Sequence, residues 1–146
     1  MTRFAGQYYT QAQCREVVEF ALERGVIVIP EIDMPGHSEA FKRAMGFDMQ
    51  TAQGMEVLQA ILEEVAIVFK ASPYIHFGGD EVNITYPNCL NIITDKIHAL
   101  GKKALAWNPL RNKSIDASTG IDMTQMWSTG GRVINGMPNI DCRYNY

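Results

Sequence analysis

The stretch YIHFGGDEV, Tyr74 to Val82, decides how the rest of the chain folds. Tyr74 to Phe77 is short, apolar and β-prone, and Ser72-Pro73 in front of it stops any preceding helix. Gly78 and Gly79 then turn the chain, and Asp80 and Glu81 follow side by side. Acidic residues after a turn are often no more than solvated loop residues. Carboxylates at the end of a buried strand, behind glycines that let the backbone pass close to a ligand, are also where α/β enzymes keep their acids and bases.

Outward from this stretch, helices and strands alternate. On its N-terminal side Leu58, Ile61, Leu62, Val65 and Phe69 form a helical stripe leading into the strand. Further back, Thr10 and Gln13 have capping-box spacing, and Cys14, Val17, Val18, Ala21 and Leu22 follow the i, i+3, i+4, i+7, i+8 pattern of one helix face. Cys14 therefore reads as core. Gly25 ends that helix, and VIVIPEI, Val26 to Ile32, is apolar on both faces, as a strand buried in a parallel sheet should be. On the C-terminal side Leu90, Ile93, Ile97 and Leu100 make a third stripe, Gly101 caps it, and Lys103 to Trp107 is the next strand. Three helix-to-strand units in series predict a parallel sheet with helical crossovers.

Beyond Trp107 the pattern weakens. Met123 to Trp127 and Ile140 to Tyr144 read as strands, but Ser128 to Asn139 carries no helical stripe. A parallel crossover usually needs about a dozen or more residues, so this connection is either a long irregular loop or a break in the pattern. No domain boundary is visible in the 146 residues. A complete eight-unit barrel takes about 250, so four or five strands are expected to form only part of one.

Composition narrows the partners. The chain is 47% hydrophobic and 20% charged, the balance of a globular protein. Its formal charge is −3 and it has no Lys/Arg run, so a nucleic-acid surface is not expected. No stretch approaches the ~20 apolar residues of a membrane span, and MTRFAGQYYT lacks the apolar core of a secretory signal. Cys14, Cys89 and Cys142 are widely separated and odd in number, which indicates neither a disulfide framework nor a CxxC zinc site.

The polar residues fall on one rim of this scaffold. PEIDMPGH, Pro30 to His37, ends the first strand, GGDE ends the second, Trp107 the third and Trp127 the fourth. In parallel α/β folds that rim is where active sites are built. Taken singly, each residue has a structural explanation: a turn histidine, a core tryptophan, a capping aspartate, and Glu31 and Asp33 as hydrogen-bond acceptors. Their joint occurrence points to a site.

The strings GQYYT, IPEIDMPGHSEAF, HFGGDEV, ALAWN and TQMW, in this order, closely resemble the catalytic barrel of family 20 glycoside hydrolases, the β-N-acetylhexosaminidases. The resemblance covers residues 1–146 and implies the central part of a (β/α)8 TIM barrel, about strands 3 to 7, the rest of the barrel lying upstream and downstream. It implies Glu81 as general acid/base and Asp80 as the carboxylate that orients the substrate's 2-acetamido group. His37 matches the family's PGH histidine, hydrogen-bonded to the acid and to an upstream aspartate absent from this chain. Trp107 and Trp127 match the pocket walls. The family's tyrosine to the acetamido oxygen falls on Tyr144 or Tyr146, with Tyr144 favoured, and Arg3 is a poor match for the arginine that grips the sugar's outer hydroxyls.

Adjacent carboxylates suit this chemistry. A glycosidase with its own nucleophile needs two carboxyls ~5 Å apart on opposite sides of the anomeric carbon. In the family the substrate's acetamide attacks instead, so neighbours suffice. The implied substrates are glycans ending in β-linked N-acetylhexosamine, or chitooligosaccharides. No cofactor or metal is implied, and a periplasmic, extracellular or lysosomal full-length protein is expected. Two other classes fit the same residues: a metal-dependent barrel hydrolase using Asp33, His37, His76, Asp80 and Glu81, which lacks HxH or HExxH spacing, and a non-catalytic carbohydrate-binding protein.

Overall fold

The structure, a computed structural model, describes residues 6–144; Arg3 and Tyr146 lie outside the described residues. It is an α/β arrangement of four helices, α1 (Gln11–Leu22), α2 (Glu39–Met45), α3 (Ala52–Val68) and α4 (Cys89–Ala99), around four strands. The strands are β1 (Tyr74–His76), β2 (Lys103–Asn108), β3 (Met123–Met126) and β4 (Asn139–Asp141). They form one sheet in the order β1-β2-β3-β4, every neighbouring pair parallel.

Local chemistry accounts for the helices. The Thr10 hydroxyl accepts from the Gln13 backbone N–H at 3.2 Å while Gln13 Oε1 accepts from the Thr10 N–H at 2.9 Å, completing the capping box that starts α1. Thr51 caps α3 by accepting from the Gly54 N–H. The α3 stripe buries Met55, Leu58, Leu62 and Val65, and the α4 stripe buries Leu90, Ile93 and Ile97. Both stripes meet Ile75, Phe77, Ala104 and Ala106 from the sheet in one core, and a Lys96–Glu63 ion pair ties the two helices together on the outside. Each fully buried Leu or Ile in such a core contributes roughly 1.5–3 kcal/mol.

Alternation along the strands then sorts the opposite face. With Ile75 and Ala104 turned to the helices, His76, Leu105, Trp107 and Gln125 share the other face, since Trp107 pairs with Gln125 in register. That face carries the site.

Two expectations change, and one open alternative is decided. Val26 to Ile32 forms no full strand: it contributes one parallel bridge, Glu31 to His76, flanked by His76 N–H to Pro30 O at 2.9 Å and Ile32 N–H to His76 O at 3.0 Å. Its pairing runs along β1, which is only three residues long, and Pro30 has no N–H to give, so Val26 and Ile27 stay exposed. The α1 stripe is likewise half covered: Val18 is buried, but Val17 and Leu22 are exposed and Cys14 is only partly buried. The β3 to β4 connection is a long irregular loop with no helix, so the last parallel crossover is not helical. No described helix is long and apolar enough to cross a membrane.

Candidate active site

The site is assembled at the C-terminal ends of the parallel strands. Glu31, Asp33 and His37 come from the segment bridged to β1, Asp80 and Glu81 from the turn after β1, Trp107 from the end of β2, and Gln125 and Trp127 from the end of β3. Two cavities open here. One of about 510 Å³ is lined by Asp80, Trp107, Gln125, Trp127 and Cys142 together with Glu31, Asp33 and His37. A second of about 520 Å³ is lined by Glu81, Pro109, Leu110 and Arg111, and shares His37 and Trp127 with the first.

The backbone of the GGDE turn is tightly constrained. Gly78 has φ +71°, and a Cβ there would lie 2.2 Å from Asp33 Oδ1 and 3.0 Å from Asp33 Cα. Only glycine lets the two segments close. Asp33 uses that proximity: its Oδ1 accepts from the Gly79 N–H at 3.2 Å and its Oδ2 faces His37 Nδ1 at 2.5 Å. His37 and Glu81 are themselves left-handed, with φ 46° and 54°, a conformation uncommon outside glycine.

His37 is the junction of the carboxylates. Its Nδ1 meets Asp33 Oδ2 and lies 3.8 Å from Asp80 Oδ1, while its Nε2 lies 3.3 Å from Glu81 Oε2. The hydrogen bond to Asp33 and that residue's charge raise the His37 pKa above its ordinary value, so the imidazolium persists to higher pH. Asp80 is pushed the other way from the usual carboxylate. Burial raises its pKa first and Asp33 adds to this, with His37 opposing. Its Oδ1 is buried and has no hydrogen-bond partner among the described residues.

The tryptophans differ in their anchoring. Trp107 Nε1 donates to Glu31 Oε1 at 2.7 Å and its ring stands edge-on to His76 with centroids 4.6 Å apart. Trp127 Nε1 donates to Pro109 O at a longer 3.4 Å. His76 is buried, and burial lowers its pKa to about 4, so it is neutral near pH 7. Since its Nδ1 accepts from the Gly78 N–H at 3.0 Å, the proton sits on Nε2.

Five of the residues singled out in the sequence, Asp80, Glu81, His37, Trp107 and Trp127, thus meet around the paired cavities. Tyr144 does not join them: it is 79% exposed and lines neither cavity. Sequence reasoning places Glu31 and Asp33 on the rim without a catalytic role, as structural acceptors or, for Asp33, a metal ligand, and it assigns no site role to Arg111, Gln125 or Cys142. Gln125 is within its reach, being two residues before Trp127 on a strand and hence on the face of Trp107. As for metals, Asp33, His37 and Asp80 present ligand atoms within 4.8 Å of one another, but the His37 nitrogen nearest both aspartates is already bonded to Asp33.

An α/β protein with an acid-rich cleft at the carboxyl rim of a parallel sheet is the class that fold and site define. Residues 2–53, which include the Pro30–His37 segment, match the model of the glycosyl hydrolase family 20 catalytic domain. The chain is 31% identical to a β-hexosaminidase of Vibrio furnissii, over 73% of this chain and 25% of that protein. It is 29% identical to β-hexosaminidase 3 of Arabidopsis thaliana, over 82% of this chain and 25% of that protein. It is 28% identical to a β-N-acetylhexosaminidase of Cellulomonas fimi, over 84% and 29%. Residues 2–53 thus carry family 20 glycoside hydrolase catalytic-domain sequence, and the chain spans about a quarter of the length of the curated relatives it matches.

Proposed function

We propose that this chain supplies the acid-bearing rim of a hydrolase that removes terminal β-linked N-acetylhexosamine by a retaining, substrate-assisted mechanism. The sequential parallel strand order fits an arc of a (β/α)8 barrel, about its third to seventh strands. The observation that carries the reading is the division of labour between neighbours: Asp80 lines one cavity, Glu81 the other, and His37 and Trp127 belong to both. The anomeric carbon would sit at that junction.

In the first step Glu81 gives its proton to the leaving oxygen as the C1–O bond breaks, and the acetamide oxygen bonds to C1, closing an oxazolinium ring. Asp80 accepts the acetamide N–H and balances the positive charge; its buried, unpartnered Oδ1 is suited to that donor. His37 Nε2, 3.3 Å from Glu81 Oε2, is placed to hydrogen-bond the carboxylate left on Glu81, and when protonated also balances its charge. In the second step Glu81 takes a proton from water, the water oxygen bonds to C1, and the ring reopens with the β configuration kept. Trp107 and Trp127 wall the acetamido group into its attacking geometry.

The test uses the complete gene product. It should cleave a β-N-acetylglucosaminide with retention and hardly touch the matching β-glucoside, and a chelator should leave the rate unchanged. Comparable rates on the glucoside, or a sugar trapped covalently on a carboxylate of this chain, would sink the mechanism.

A further inference from the structure

Trp107 is held more firmly than a pocket wall requires. Its indole N–H ends on Glu31 Oε1 at 2.7 Å, within the range of a charge-assisted bond, and its ring edge is braced by His76. Glu31 is fixed in turn, because its backbone forms the parallel bridge to His76, with hydrogen bonds on both sides of it. His76 cannot substitute as the acceptor: its Nδ1 takes the Gly78 N–H, and its Nε2 is a buried donor without a partner among the described residues. Glu31 Oε1 also lies 3.6 Å from His76 Nδ1, and two acceptors do not bond to each other. Glu31 is therefore the one group among these that can set the indole's orientation.

We propose that Glu31 is the positioning residue that fixes the Trp107 indole as a wall of the cavity shared with Asp80. It acts on the reaction through Trp107, so its effect on turnover rests on the hexosaminidase reading, whereas its effect on the indole does not. Burial, with Asp33 and Asp80 nearby, raises the Glu31 pKa despite the opposing indole bond and His37. A protonated carboxyl still offers a carbonyl oxygen to the indole, so what matters at position 31 is an acceptor rather than a charge.

That distinction gives the test. In the complete gene product labelled with 5-fluorotryptophan, the Trp107 resonance, assigned by its loss in Trp107→Phe, should stay in place in Glu31→Gln. It should shift or broaden in Glu31→Met, which has similar length and no oxygen. With the substrate above, Glu31→Met should lower kcat by up to roughly 10²-fold, the scale of a displaced positioning contact, with Glu31→Gln recovering most of the loss. On a Trp107→Phe background, Glu31→Met should add little further loss. An unmoved Trp107 resonance in Glu31→Met, or equal damage from Gln and Met, overturns the proposal. Should Glu31→Met fail to fold, the Trp107→Phe background with Glu31→Gln decides: a further large loss there overturns it, and none supports it. If the protein cleaves no N-acetylhexosaminide, the fluorine spectra still decide the positioning role while the proposed function falls.

Discussion

Asp80 and Glu81 are joined by one peptide bond, yet they belong to two cavities of nearly equal volume with different walls. The Asp80 cavity is aromatic and acid-rich, with Trp107, Trp127, Gln125 and four further titratable side chains, Glu31, Asp33, His37 and Cys142, around it. The Glu81 cavity is edged by Pro109, Leu110 and the Arg111 guanidinium, and Arg111 donates to the Glu81 carbonyl at 3.4 Å. The carboxylates differ accordingly: the Asp80 side chain is 13% exposed and the Glu81 side chain 60%. Glu81 has a left-handed φ of 54° at this division. Under the proposed mechanism, that split separates holding the acetamide from moving the proton.

The largest expected effect breaks the comparison from the Glu81 side. In the complete gene product Glu81→Gln should slow cleavage of poorly leaving aglycones by roughly 10²- to 10⁴-fold, and of activated phenols far less, since those need no proton. Equal losses for both aglycones would remove the distinction between the two cavities.

From the Asp80 side, Asp80→Asn should cost roughly 10²- to 10³-fold, the scale of removing one electrostatic partner of a developing charge. Here both aglycones should lose alike, and a stable thiazoline mimic of the closed ring should bind poorly. Tight thiazoline binding to the variant would separate Asp80 from the acetamide.

The smallest effect concerns the brace behind Trp107. His76 has its pKa lowered from 6.5 to about 4 by burial, so between these values the unfolded chain holds a proton that the folded chain lacks. Stability should therefore fall as pH drops from about 6.5 to about 4, by on the order of 3 kcal/mol. The raised carboxyls Glu31 and Asp80 act with the opposite sign, so the readout is a difference between proteins. His76→Gln keeps an acceptor for Gly78, and denaturant unfolding at pH 7 and pH 4.5 should show a shallower acid loss for it than for the parent. Identical losses would mean that His76 does not titrate as its burial implies.

Much of this architecture is legible in the amino-acid sequence. The α3 and α4 stripes bury as their 3.6-residue spacing says, and strand-end placement brings Asp80, Glu81, His37, Trp107 and Trp127 to one rim. Periodicity fails where partners are lacking. The Val26 to Ile32 run has strand composition but only a short neighbour, and α2, which follows the PGH turn and is seven residues long, is too brief to show a stripe. The Asp33–His37 bond links residues four apart outside a helix, and Glu31 meets Trp107 across 76 positions of sequence. Such contacts depend on how distant segments fold together, which no local pattern encodes.

The backbone at Glu81 leaves one more consequence, for how this sequence would change over generations. A left-handed non-glycine residue costs on the order of 1–2 kcal/mol, and glycine or asparagine at φ 54° would avoid most of it. In a population of variants propagated for solubility alone, position 81 should drift toward those residues within a few rounds, while Leu62, fully buried, should stay fixed. Propagated for growth on a sugar that the complete protein releases, the same population should keep glutamate. The codon for the least comfortable residue of the turn would then report which of the two histories a lineage has lived through.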